Sequence, residues 1–155
     1  MADLKFRIKA KSENPTKTIV KTRGFEMIID EPADLGGTNA GANPVEYVLA
    51  AYAGCLNVMG HIVANEMKIE LNGMELELTG SLNPDRLFGK SFEDRAGYKE
   101  IKVVLKPDWT ADEATTQKWL DSILDRCPVG DNLKNTTKIV VEVKEKLSLL
   151  KHQQN

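Results

Sequence analysis

From Val45 to Ala64 the chain runs for twenty residues with one charged side chain, Glu46. Nothing else in the sequence restricts the fold as strongly. A segment this apolar must be buried, either in lipid or inside the protein. Its length is close to the ~20 residues that a membrane helix needs. Glu46, Asn57, His61 and the internal glycines Gly54 and Gly60 argue against lipid, and so do the amphipathic strands around it. The spacing predicts a core helix from Pro44 to Met67. Asn43 suits the N-cap, Pro44 the first helical position, and Glu46 can reach back at N3 to close a capping box. Almost every face of this helix is apolar, so it is expected to be buried all round.

The flanking segments read mostly as strands. Leu4, Phe6 and Ile8 alternate with Lys5, Arg7 and Lys9, the period of a half-buried strand. The runs 16–22 and 25–30 flank Arg23-Gly24, which predicts a hairpin with Gly24 supplying the turn. Glu31-Pro32 ends the third strand. The glycine-rich loop 36–43 lacks the spacing of a phosphate-binding or dinucleotide-binding turn. Beyond the helix, Met74, Leu76 and Leu78 alternate with Glu75, Glu77 and Thr79. The polar segment 83–97 is long enough for a lid or binding loop. A strand 98–106 should stop at Pro107. Thr110-Ala111-Asp112-Glu113 resembles a capping box before a helix with the stripe Trp119, Leu120, Ile123 and Leu124. Lys138 to Val143 reads as a last strand, and the polar residues 144–155 as a fraying tail. The order of elements implies an α+β fold in a single domain spanning 1–155.

A chain of 155 residues with a net charge of −2 offers no basic surface for nucleic acid or acidic lipid. The first residues lack the apolar core of a secretion signal, so a cytoplasmic location is expected. In that reducing compartment the two cysteines, Cys55 and Cys127, point to free thiols or a transient redox pair. No metal site is expected, because the cysteines are far apart in sequence and the histidines are only His61 and His152.

Cys55 lies on the helix face shared with Val48, Ala51, Tyr52, Met59 and Ile62. A lone helix cysteine there reads most simply as a small buried hydrophobe. Cys127 gives a sharper signal. Preceding Pro128, it is pushed out of helical geometry, while Pro128 suits the first position of a new helix. Cys127 then becomes an N-cap, where free N–H groups stabilise a thiolate. His61 is about 120° from Cys55 around the helix, off its face. Trp109, Trp119 and the tyrosines read as core or interface aromatics.

Gly36-Gly37, Asn43-Pro44-x-Glu46-Tyr47, Ala50-Ala51-x-Ala53-Gly54-Cys55 and Arg126-Cys127-Pro128-Val129 together resemble the OsmC/Ohr family, the osmotically inducible and organic-hydroperoxide-resistance proteins. The resemblance runs from about Asp30 to the last strand. It implies antiparallel sheets packed around a long central helix, two chains intertwined as a homodimer, and active sites near their interface. It also implies a peroxidatic cysteine at Cys55, a resolving cysteine at Cys127, an organic hydroperoxide as substrate and an external dithiol as reductant. No metal, haem or flavin is implied. In the family's peroxidases an arginine and a glutamate activate the thiol, the glutamate directly following the Asn-Pro proline. Here Val45 holds that place, about 80° from Cys55 around the helix, and Glu46 lies about 180° away. Glu46 therefore reads as a cap or interface residue as well as a candidate acid. Arg23 is the candidate arginine, with Arg7, Arg86 and Arg95 as rivals. The competing expectations are a non-catalytic protein that holds a small apolar ligand, or a redox sensor.

Overall fold

The computed structural model describes residues 2–144, so the tail expected at 144–155 lies, beyond its first residue, outside the described residues. Three strands come first, β1 (Lys9–Ser12), β2 (Thr18–Thr22) and β3 (Phe25–Ile29). The long helix α1 (Pro44–Glu66) follows, then β4 (Gly73–Ser81), β5 (Glu100–Asp108), α2 (Glu113–Arg126) and α3 (Pro128–Lys134). Both sheets are antiparallel, one ordered β1-β2-β3 and the other the pair β4-β5. The α+β class expected from the sequence is the class observed.

Helix α1 begins where its capping chemistry dictates. The Asn43 side chain accepts from the Glu46 N–H, and the Glu46 carboxylate accepts from the Asn43 N–H at 2.8 Å. Its buried stripe of Tyr52, Leu56, Met59 and Val63 meets Trp119 and Ile123 of α2. The Trp119 indole donates to the Gly60 carbonyl at 2.9 Å, fixing where the two helices cross. Under the helices, β4 and β5 turn Met74, Leu76, Leu78, Ile101, Val103 and Leu105 to the core. Their charged alternates face outward, as period-2 patterning requires.

The loop between β1–β3 and α1 is organised by one carboxylate. Asp30 is wholly buried, and its oxygens accept from the N–H groups of Glu31, Thr38 and Ala40 and from the Thr38 hydroxyl. Tyr47 on α1 ties back to this region by donating to the Ile28 carbonyl at 2.9 Å. At the far side, the loop between β4 and β5 is held by Asp94, which accepts from Asn83 and Lys99. It is held also by Arg86, whose guanidinium donates to the carbonyls of Phe92 and Asp94. Its last residues return to α1 through the Tyr98 hydroxyl, which donates to the Val45 carbonyl. Tyr98 can lie there because Gly80 has no Cβ, whose place is 2.4 Å from the Tyr98 ring.

Several sequence expectations need correction. Among the described residues no strand forms before Lys9: β1 pairs Lys9 with Lys21, so residues before Ile8 run past the end of β2. The Thr22 hydroxyl reaches back to donate to the Arg7 carbonyl. Leu4, Phe6 and Ile8 are left exposed, Phe6 by 90%. Residues 138–143 likewise form no strand, and Ile139, Val140, Val141 and Val143 face solvent. In the hairpin turn the left-handed residue is Arg23, with φ 53°, rather than Gly24. β5 does not stop at Pro107, which pairs with Met74 near the strand end, where β5 has a partner on one side among the described residues. Asp112, not Thr110, caps α2 by accepting from the Thr115 N–H. Finally, α1 is not buried all round: Val45, Val48, Val58 and Ile62 form an exposed apolar stripe.

Candidate active site

Where α2 crosses α1, its C-terminus arrives above the middle of the long helix. Cys127 sits in the break between α2 and α3, with φ −75° and ψ 110°, the extended geometry that Pro128 imposes. It serves both helices at once. Its N–H donates to the Ile123 carbonyl and closes α2, while its sulfur accepts from the Gly130 N–H at 3.3 Å and caps α3. The side chain is 1% exposed. From this position its sulfur reaches Cys55, half-buried on α1, across 2.9 Å. The two thiols share a hydrogen bond, and closing them to a disulfide of ~2.05 Å needs a movement of about 1 Å.

Small and large residues around the pair make this approach possible. A Cβ at Gly130 would lie 3.2 Å from the Tyr52 ring and 3.5 Å from the Cys127 sulfur. The first contact is tight and the second ordinary, so α3 packs closely on the Tyr52 ring here. Tyr52, one turn before Cys55, is buried, and its ring also forms part of an apolar groove of about 340 Å³. Leu56, Val103, Leu105, Trp119 and Leu120 line the same groove.

The electrostatics of the site follow from burial. Cys55 is pushed above the ordinary thiol range, first by burial and then by its hydrogen bond to Cys127; the Val129 N–H opposes this. Tyr52 is also raised, by burial and then by negative charge on Cys127 and Cys55. Among the described residues no cation contributes to either shift. Arg126, next to Cys127 in sequence, forks onto both oxygens of Glu66 at 2.5 and 2.9 Å.

Of the four residues singled out from sequence, Cys55 and Cys127 are brought together and the other two stand elsewhere. Arg23 lies exposed in the β2–β3 turn, its guanidinium 5.1 Å from the centre of the Phe25 ring. Glu46 is engaged in the α1 capping box. Val45 is on the exposed stripe, and His61 is exposed on α1. Arg86 is engaged in its own loop. Trp109 and Trp119 pack edge to face with centres 4.7 Å apart, as core aromatics. Among the described residues no cluster of histidine, cysteine and carboxylate side chains could hold a metal. The sequence alone does not mark Gly130 or the role of Tyr52. Helical spacing puts Tyr52 on the Cys55 face, but its contact with α3 depends on the α2–α3 junction.

The family model for OsmC-like proteins matches residues 37–142, which include both cysteines. The fold is shared with several solved structures. An OsmC-like protein from Mycoplasma pneumoniae superposes with a TM-score of 0.76 at 20% identity, over 87% of this chain and 91% of that one. An organic hydroperoxide resistance protein OsmC from Legionella pneumophila gives 0.63 at 20% identity, over 86% and 92%. The organic hydroperoxide resistance protein OhrB of Bacillus subtilis gives 0.61 at 21%, over 86% and 93%. Among proteins of curated function none matches closely enough to lend its activity. The two thiols on their helix crossing, inside a matched segment covering most of the sequence, establish that this chain belongs to the OsmC-like protein family.

Proposed function

We propose that this protein is a thiol-dependent peroxidase that reduces organic hydroperoxides through Cys55 and Cys127. One observation carries the reading: two free thiols lie 2.9 Å apart, one half-buried and one sealed, on a fold shared with organic hydroperoxide resistance proteins. Cys55, the more accessible sulfur, attacks the terminal oxygen of the hydroperoxide, expels an alcohol and becomes a sulfenic acid. Cys127 then attacks that sulfur, releases water and forms the disulfide. An external dithiol restores both thiols by exchange. The apolar side chains around the pair favour a peroxide with a greasy body over hydrogen peroxide.

In this reading the working unit is a homodimer. Support comes from the exposed stripe of Val48, Val58 and Ile62 on α1 and from the exposed apolar residues at both ends of the described chain. In this reading Arg23, exposed in the β2–β3 turn, serves the site of a second copy.

The test is stopped-flow oxidation of the reduced protein. Cumene hydroperoxide should oxidise it rapidly, with loss of two thiols per chain, and hydrogen peroxide much more slowly. A reduced protein inert to both would overturn the reading. The apolar groove beside Tyr52 favours a second reading, a holder of small apolar ligands. That reading predicts saturable binding of an apolar fluorescent probe without thiol oxidation.

A further inference from the structure

A peroxidatic thiol must lose its proton before it can attack, and burial works against that loss at Cys55. Its surroundings offer few acceptors. From α1 the neighbour is Tyr52, a buried phenol that burial keeps protonated. From α2 come Arg126, committed to Glu66, and the exposed Asp125; from α3 comes Asp131, exposed and bonded to Asn135. The β4–β5 sheet turns Leu76, Leu78 and Ile101 inward and its charged residues away. Glu46 is spent on its cap, and an arginine delivered by a second copy could stabilise a thiolate but has no lone pair to take a proton. What does face Cys55, at 2.9 Å, is the other sulfur. That sulfur receives the Gly130 N–H, as Cys55 receives the Val129 N–H, so each sulfur has a backbone donor and Cys127 is the acceptor within reach of the Cys55 proton.

We propose that Cys127 is the proton acceptor that turns Cys55 into a nucleophile, in addition to closing the disulfide. The inference rests on the peroxidase reading above and gives one residue three successive tasks. The dithiol begins as a monoanion with the charge on Cys127. Cys55 passes its proton to Cys127 and attacks the terminal oxygen of the hydroperoxide. The O–O bond breaks, its electrons leave on the alkoxide, and Cys55 carries the OH as a sulfenic acid. The alkoxide takes the proton back from Cys127 and departs as the alcohol. Cys127, again a thiolate, attacks the Cys55 sulfur, forms the disulfide and releases hydroxide. The sum is dithiol monoanion plus hydroperoxide giving disulfide, alcohol and hydroxide, with the peroxide as the only oxidant.

The test separates the proton role from the resolving role. Serine and aspartate both serve as N-caps, so Cys127→Ser and Cys127→Asp preserve the α3 start. Neither can form the disulfide, but the aspartate returns a proton acceptor. Single-turnover sulfenic acid formation at neutral pH should fall on the order of 10²-fold in Cys127→Ser, the typical size of a general-base contribution. Its pH profile should move to higher pH, and Cys127→Asp should recover most of the rate. The same profile, read by iodoacetamide alkylation of Cys55 and peptide mass, needs no peroxide. A wild type inert to hydroperoxide but showing the alkylation shift would sink the peroxidase reading and leave the proton acceptor standing. Equal rates and profiles for wild type and Cys127→Ser would overturn the inference. So would failure of a folded Cys127→Asp to recover the loss.

Discussion

At the scale of single residues, the proposed chemistry rests on sulfur and the loop structure on one carboxylate. Cys55→Ser should abolish consumption of organic hydroperoxides while leaving the fold intact, as measured by peroxide loss and circular dichroism. A rate that survives this change would move the reactive atom elsewhere. Asp30 is held well below the ordinary carboxylate value of 3.8, chiefly by the Thr38 hydroxyl, with burial opposing. Its folded pKa is therefore depressed, so its contribution to stability is complete above the unfolded value. That contribution is lost as pH falls through the folded value. Asp30→Asn should lower the Tm at neutral pH and flatten the acid side of the stability curve. An unchanged Tm would mean that the Gly36–Asn43 loop holds itself without the carboxylate.

At the scale of elements, the helices hold the two thiols: α1 starts at its own capping box, and Cys127 is itself the cap where α2 ends and α3 begins. Asn43→Ala removes the side-chain half of the α1 capping box and should cost about 1 kcal/mol in chemical denaturation. Glu46→Gln keeps an acceptor at N3, so peroxide reactivity should change little. A large loss of rate would give Glu46 a part in the chemistry. Trp119 is the largest fully buried side chain and bonds α2 to the Gly60 carbonyl. Trp119→Ala should cost about 3–5 kcal/mol and loosen the crossing that brings Cys127 over Cys55. Diamide should then close the disulfide more slowly in whatever fraction remains folded.

At the scale of the whole molecule, apolar surface is distributed in a way one chain does not resolve. Helices α1, α2 and α3 and the β4–β5 sheet share a core, whereas β1–β3 has no comparable packing against them. Its anchors to the helical body include the Tyr47 hydroxyl and the bond from the Asp30 N–H to the Ala42 carbonyl. A homodimer would cover both the exposed α1 stripe and the apolar ends of the chain. Sedimentation at micromolar concentration should give twice the mass of one chain. The double substitution Val58→Asp with Ile62→Glu should shift it to a monomer and reduce peroxide turnover. A monomeric wild type would contradict the assembly.

Local chemistry made much of this legible before any fold was known. The capping box of α1 is written in Asn43, Pro44 and Glu46, because caps use side chains within three residues of the backbone they satisfy. The break at Cys127 is equally local, since proline restricts the residue before it. The inward face of β4, with Met74, Leu76 and Leu78, followed from strict alternation, whereas its register with β5 did not. Strands at 4–8 and 138–143 did not form, because alternation states only that a segment could pair; pairing needs a neighbour with free backbone groups. In the same way, an apolar helix records that its faces must be covered, not by which element. The sequence determined where α1 starts, where the chain breaks at Cys127 and which two thiols it offers. Only the tertiary structure decided that residues 72 apart place their sulfurs 2.9 Å from each other. It decided too that Arg126 turns to Glu66 and that Gly130 and Tyr52 close around the thiols. Those outcomes depend on the angle and position at which α2 crosses α1, set by the packing of Trp119, Ile123 and Gly60, and no local rule contains them.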